Sequence, residues 1–371
     1  MVLFSCYVIG GGIMNRSAWI KPMWLILVLS FFFCGCHFNV KDVSDIPSDF
    51  YIAVIRTTEQ KQSTVISFYD KDLKCVGTKK LSYGMVGSTW KHPICNDNHL
   101  YVNAAGLGGE KNLGICLDMD LNTGNINELK HGLVGPADCV ETDNYIFVCN
   151  NLNYKSHIVR CEKETGDIKE FTENVSTIDT LYCYDEKLIA FATDYQGITK
   201  SYIYIMDYEL DVIRTIDISQ FGINVENVCL YQEKLLFSLA LDSSQNHIRK
   251  VGILSLDDYT IDSIELTECQ PLDLQVHNDT LYVSDFSHDA NGKIEVYDLK
   301  AKKSKVFQLE HTVNCFYLNN ECLYTASDKT LYEYSINQEM LELKKKTEID
   351  TSKEKDVHYY VSGIFFKASI N

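Results

Sequence analysis

The sequence predicts an all-β fold in which four-stranded antiparallel units repeat seven times and the last strand of the chain closes the ring. Three observations predict it. A polar turn followed by a short apolar strand recurs with Leu100, Ile146, Leu188, Leu235, Leu281 and Leu323 as anchors, at steps of 46, 42, 47, 46 and 42 residues. About 20 residues after most anchors comes an alternating strand, a tight turn and another strand. The composition suits strands, with 23 Tyr, 17 Phe and only 5 Pro in 371 residues. Four strands per repeat of roughly 45 residues is the pattern of a β-propeller blade.

The first element is an address. Arg16 and Lys21 precede an apolar run at residues 23–33, which small residues and two cysteines follow. A basic segment, an apolar segment and a small residue before the cut make a secretory signal over residues 1–35. The run is shorter than the roughly 20 residues needed to span a bilayer. Gly10-Gly11-Gly12 reads as a translated ribosome-binding sequence, which makes Met14 the expected true start. Phe33-Cys34-Gly35-Cys36 resembles the bacterial lipobox, with Phe33 standing where Leu is usual. That resemblance implies lipidation, palmitate among the acyl chains, at Cys36, and several chains together give stable anchoring. Residues 36–48 then form a polar tether, and the expected location is extracytoplasmic, on the bacterial cell membrane. Plain secretion and an uncleaved anchor are the alternatives.

The propeller is expected over residues 49–371. Its first repeat shows three strands, at 51–55, 64–69 and 74–81, and nothing in front of them. Six polar turns follow, from Asp97-Asn98 through Asp143-Asn144 and Asp185-Glu186 to Asn320-Glu321, each leading into an anchor strand. Outer hairpins are expected at 116–128, 159–171, 203–216, 252–266 and 294–309, and inner strands before the anchors, as at 225–230 and 272–276. The orphan strand at 360–367 completes the first repeat and removes the free sheet edges, so a monomer is expected. Six blades, or an open solenoid that would not need this strand, are the alternatives. Leu281-Tyr282-Val283-Ser284 followed by residues 294–299 (IEVYDL) resembles bacterial exported propellers with YVTN-type, WD40-like repeats. The resemblance covers most of residues 49–371. It implies a fold and no particular activity, because the Pro and Gly positions of that family are mostly absent.

Charge narrows the partners. Net charge is −17, and without residues 1–35, which hold only Arg16 and Lys21, 32 basic and 51 acidic residues leave −19. The clusters at 300–305 and 344–346 are too small to make a basic face, so nucleic acid is excluded. Cys95, Cys139, Cys149, Cys183, Cys229, Cys315 and Cys322 sit inside apolar strands, where a thiol acts as a small hydrophobe. An anaerobic host with reduced thiols and one or two unassigned disulfides both fit this pattern.

Loops carry the functional expectations. Those at 104–112, 150–156, 193–200, 241–246 and 285–292 share one face of a propeller and read as long, and long loops on a rigid scaffold carry function. Tyr154, Tyr195, Phe286 and His288 are the ligand-binding candidates there. Aligning the inner strands puts His92, Asp138, Asp179, Glu226, Asp273 and Asn314 at equivalent places near the axial channel. Asp138, Asp179, Glu226 and Asp273 are the metal candidates, for Ca or Mg held by oxygen ligands. The competing reading is that all six cap local N–H groups. Residues 118–122 fail the calcium-loop pattern, and Gly106–Gly109 lacks the Lys-Ser/Thr of a phosphate loop. The expected function is a non-enzymatic, cell-surface lipid-anchored binding or scaffold module for a peptide, glycan or partner protein. The alternative is a metal-dependent lyase or hydrolase, lactonase-like, with His92 and Glu226, or His288 and Asp289, as acid–base pairs.

Overall fold

Tyr51-Ile52-Ala53-Val54-Ile55 lacks the polar alternation of a strand with one wet face, because both of its faces are buried. The computed structural model describes residues 46–107, 111–286, 291–319, 322–337, 340–349 and 357–367. Within these, 28 strands make seven four-stranded antiparallel sheets. Blade 1 joins β1 (Ile52–Thr57), β2 (Thr64–Tyr69) and β3 (Cys75–Leu81) to β28 (Tyr360–Phe366). Blade 2 is β4 (Ile94–Asn96), β5 (His99–Leu107), β6 (Lys111–Asp120) and β7 (Ile126–Lys130). Blade 3 is β8 (Pro136–Glu141), β9 (Tyr145–Leu152), β10 (Lys155–Glu162) and β11 (Ile168–Glu173). Blade 4 is β12 (Thr177–Tyr184), β13 (Lys187–Asp194), β14 (Lys200–Asp207) and β15 (Val212–Asp217). Blade 5 is β16 (Val228–Tyr231), β17 (Lys234–Leu241), β18 (His247–Ser255) and β19 (Ile261–Glu265). Blade 6 is β20 (Pro271–His277), β21 (Thr280–Asp285), β22 (Lys293–Asp298) and β23 (Lys303–Gln308). Blade 7 is β24 (Cys315–Asn319), β25 (Cys322–Ala326), β26 (Thr330–Asn337) and β27 (Met340–Glu348). The last strand pairs antiparallel with β1, Ile52 opposite Phe366, and packs against both β24 and β4. This is a closed seven-bladed β-propeller.

The core is seven apolar clusters, one between each pair of neighbouring blades. Period-two alternation sends Ala53 and Ile55 into the interface with blade 2, and Ile52 and Val54 into the interface with blade 7. Ile46 and Phe50 join the first of these clusters. Cys116, Cys149, Cys161, Cys269 and Cys315 are buried in the interfaces, and the eleven cysteines from Cys75 to Cys322 are free thiols. The recurring polar pairs are tight turns. Asp97 and Asn98 have φ of 46° and 63°, and Asp185 and Glu186 have 47° and 54°, the left-handed values of a type I′ hairpin.

Polar side chains in or just before the inner strands stitch blades 3 to 7 in succession. Asp138 Oδ2 of blade 3 accepts the Leu181 N–H of blade 4 at 2.9 Å. Thr180 of blade 4 donates to the Val225 carbonyl, and Asn227 of blade 5 donates to the Leu272 carbonyl of blade 6 at 3.1 Å. Gln275 of blade 6 accepts from Leu318 N at 2.8 Å and donates to the Phe316 carbonyl at 2.9 Å, both in blade 7.

Two of the expected long loops are extended hairpins instead. Between Leu152 and Lys155 lie only Asn153 and Tyr154, both with positive φ. The strands β5 and β6 likewise continue to Leu107 and from Lys111. In both hairpins the backbone pairing runs on past the apolar blade body. The longest fully described connections are between blades, at 82–93 and 218–227. The signal at 1–35, Cys36, the tether up to residue 45, and His288 lie outside the described residues.

Two outcomes follow from closure and burial. A chain ending at residue 356 lacks β28, leaves β1 an open edge and exposes the apolar faces of blades 1, 2 and 7. It is expected to lose the cooperative thermal transition of the full chain, read by circular dichroism. His131, only 3% exposed, accepts the Leu133 N–H at 3.1 Å, and burial, against a smaller opposing effect of the Ile115 backbone, pushes its pKa down to about 4. The unfolded chain therefore takes up this proton first as pH falls, and the folded chain only near pH 4. Stability on the order of 3 kcal/mol is lost between about pH 6.5 and 4. Subtracting the denaturation free energies of His131→Gln from those of the parent chain at each pH should reveal this slope.

Candidate functional site

Antiparallel order puts the turn between first and second strands, and that between third and fourth, on one face. The second-to-third connections and the links between blades share the other face, and the channel mouth there is the candidate site. Bulges aim its side chains. The register shifts at Pro136/Asp138 in β8, Ile178/Thr180 in β12 and Pro271/Leu274 in β20. An extra residue bends a strand and re-aims the side chains around it; the shifts leave Ala137 unpaired next to Asp138, Asp179 itself unpaired, and Leu272 and Asp273 together opposite Ser284. A fourth shift lies where β1 pairs with β28 and leaves Ser362 unpaired, the seventh equivalent of the six expected positions.

The connection at 82–93 fills the space these residues surround. Its first half is tied down by backbone bonds, Met85 N to the Thr58 carbonyl at 3.2 Å and Gly87 N to the Asn103 carbonyl at 2.8 Å. Ser362 Oγ donates to the Val86 carbonyl at 2.6 Å. Gly87 has φ of 76°, and a Cβ there would meet the Ser362 carbonyl oxygen at 2.8 Å. From this anchor residues 90–92 reach across the axis. The Trp90 carbonyl accepts from Asn227 Nδ2 at 2.9 Å. Lys91 Nζ donates to Thr180 Oγ1 at 2.8 Å and to the Glu226 carbonyl, and lies 3.9 Å from Asp138 Oδ2. His92 Nε2 meets Asp273 Oδ2 at 2.7 Å. One segment thus touches blades 3, 4, 5 and 6.

The electrostatics match. The side chains of Lys91 and Asp138 are 11% and 10% exposed, and that of His92 30%. Burial pushes the Asp138 carboxyl up, although Lys91 and the N–H groups of Leu181 and Cys139 pull it down. Burial likewise raises Asp179 and Glu226, again against Lys91. For His92 burial works against the charged ring, but Asp273 outweighs it and the net shift is upward. Asp179 Oδ1 accepts from Asn151 Nδ2, and Glu226 Oε1 from Asn224 Nδ2, each at 2.8 Å. Asp138 and Asp273 also each accept the following residue's N–H at 2.8 Å. The four carboxylates thus have the chain's own Lys91 and His92 among them. No group of three or more His, Cys, Asp or Glu spaced for a metal ion occurs among the described residues.

Of the expected ligand-binding residues, Tyr195 and Phe286 come to the mouth. Tyr195 OH donates to Asn224 Oδ1 at 3.3 Å and feels Asp179 and Glu226, while burial pushes its pKa up to about 12. The Phe286 ring lies 5.6 Å from that of Trp90. Tyr154 stands apart at a hairpin tip, 70% exposed. His92 is bonded to Asp273, not to Glu226. Sequence reasoning missed Trp90, Lys91, Thr180, Gln275 and Ser362. A signal existed for the first two, because Trp90 is the sole tryptophan after residue 35 and sits in Trp-Lys-His-Pro.

No family model and no curated protein matches this sequence. Solved structures do match in fold. The candidate 6-phosphogluconolactonase of Bacteroides fragilis NCTC 9343 superposes with TM-score 0.57 at 10% identity, over 86% of this chain and 98% of that one. The WD40 domain of Toxoplasma gondii coronin gives 0.52 at 9% identity, over 82% and 78%. Sqt1 of Saccharomyces cerevisiae gives 0.51 at 12%, over 83% of each. Likeness at such identity is one of fold, and the class it defines is the seven-bladed, WD40-like β-propeller.

Removing Lys91 tests the electrostatic account. Breaking a buried charge pair costs about 3–5 kcal/mol, so Lys91→Met is expected to destabilise by that order at pH 7. The three carboxyls that burial raises protonate first as pH falls, so the loss should shrink at pH 5. Urea denaturation at both pH values checks this, and an equal loss at both contradicts it.

Proposed function

We propose that this chain is an extracytoplasmic binding module, held to the bacterial cell membrane through acyl chains on Cys36, that docks a protein partner on its long-loop face. One observation carries the docking reading. Val134, Leu152, Tyr154 and Ile198 are 49%, 49%, 70% and 82% exposed, and they sit on or beside three of the four consecutive connections of that face between blade 2 and blade 4. A single exposed Leu is ordinary, but large apolar side chains on adjacent loops mark an interaction surface. Tyr is also among the residue types that dominate interface energies. The acidic mouth beside this surface, with Asp179 and Glu226, favours a partner with a basic rim, which steers encounter and selects against acidic proteins. A peptide or a glycan held by Tyr195 and Phe286 uses the same face.

A second reading, a metal-assisted hydrolase at the same mouth, is favoured by the His92–Asp273 pair at 2.7 Å. It takes Asp138, Asp179, Glu226 and Asp273 as ligands of Ca or Mg. Metal analysis of the purified protein and a parallel melt in EDTA separate the two. A stoichiometric divalent ion whose removal lowers the melting temperature supports the hydrolase.

The leading reading has two expected outcomes. Cys36→Ala should move the protein from the membrane fraction to the soluble fraction and abolish acyl labelling. Tyr154→Glu with Ile198→Glu should leave melting unchanged and remove the envelope proteins that co-purify with the parent chain. Unchanged co-purification contradicts the assigned surface.

A further inference from the structure

The rim of the ring between blades 6 and 7 carries a groove that the mouth does not use. Its volume is about 330 Å³, and Gln308, Glu310, His311, Tyr332, Leu343 and Lys346 are among its lining residues. The strand pattern builds it. Tyr332 and Tyr334 lie two apart in β26 and so share a face, and their cross-strand partners in β27 are Lys346 and Leu343. The link after β23 brings His311 onto that face.

The aromatic wall is rigid. The His311 and Tyr332 rings stack with centroids 3.7 Å apart and an interplanar angle of 3°. His311 Nδ1 donates to the Thr312 carbonyl at 2.8 Å, which leaves Nε2 to accept from Tyr334 OH at 2.8 Å. Burial lowers the His311 pKa, which keeps the ring neutral in this arrangement. A wall fixed before binding spares the ligand the cost of ordering it.

The rest of the lining is polar and exposed. Glu310 and Lys346 are exposed, and neither has an ion-pair partner among the described residues. Leu343, 45% exposed, adds apolar surface beside them. A carboxylate accepts hydroxyl protons, an ammonium donates to hydroxyl oxygens, and an aromatic wall takes the C–H side of a saturated ring. A polyanion is disfavoured by a chain of net charge −17 that offers one lysine and no arginine here. The volume is at the small end for ligand sites, which run from about 300 to 1,000 Å³.

We propose that this groove binds a neutral carbohydrate, one or two pyranose units long, with Tyr332 as the stacking wall and Glu310 and Lys346 as the hydroxyl-binding pair. The site lies at blades 6 and 7, apart from the exposed apolar residues of blades 2 to 4 assigned to docking, and its test does not involve the protein partner. Saturation-transfer NMR of the full chain with cellobiose, maltose and lactose reads binding directly. At least one sugar is expected to receive saturation on its ring C–H protons. Tyr332→Ala should abolish the transfer. The double variant Glu310→Gln with Lys346→Gln, which alters only exposed side chains, should weaken affinity by about tenfold or more with melting unchanged, since a bond to a charged group is worth roughly 1.5–3 kcal/mol. No transfer to any of the three sugars, or a double variant that binds as the parent chain does, overturns the proposal.

Discussion

Every blade of this protein is apolar on both faces, and that constraint governs the rest. A sheet with two apolar faces needs a neighbour on each side, and seven such sheets have none left over only when the ring is closed. Closure depends on residues far apart in the chain, since β28 pairs with β1 across more than 300 positions. Strand residues such as Ile52 and Ala53 of β1 then belong to different interfaces although they are adjacent, so substitutions at neighbouring positions of one strand are felt in different packing clusters.

Closing the ring also creates an axis, and the axis must be filled. The starts of the inner strands converge there with carboxylates that burial drives toward their neutral forms. The chain offsets this with the segment at 82–93, which brings a lysine and a histidine into contact with four blades. Isolated carboxylates in such a place are costly, and a paired set is tolerable. The same segment carries Trp90 to the mouth, where it meets Phe286. A structural plug and one wall of the candidate site are therefore a single element. The surface around it is set by adjacent blade connections, and the sugar groove by a different pair of blades.

Much of this was legible in the sequence because repetition is a local property. The anchors from Leu100 to Leu323, the polar pairs before them and the unpaired strand at 360–366 are enough to count blades and to close the ring. Equivalent positions such as Asp138 and Asp273 were legible for the same reason. What those carboxylates face was not, because Lys91 lies outside the repeat and reaches partners 47 to 135 residues away. Bulges were hidden as well, since an extra residue leaves no mark in an alternating pattern. The hairpin at Asn153-Tyr154 read as a loop because its polar residues extend pairing beyond the apolar blade body.

The measurement closest to the central claim is amide hydrogen exchange of the segment at 82–93 in the full chain. As part of the inner wall, with Gly84, Met85, Val86 and Gly87 all donating to blades 1 and 2, peptides covering residues 83–92 should exchange as slowly as those of the inner strands β8 and β12. Exchange as fast as that of the exposed hairpin at 242–246 would contradict it. The channel would then be open, its carboxylates would lack Lys91, and the mouth would have a different shape from the one described.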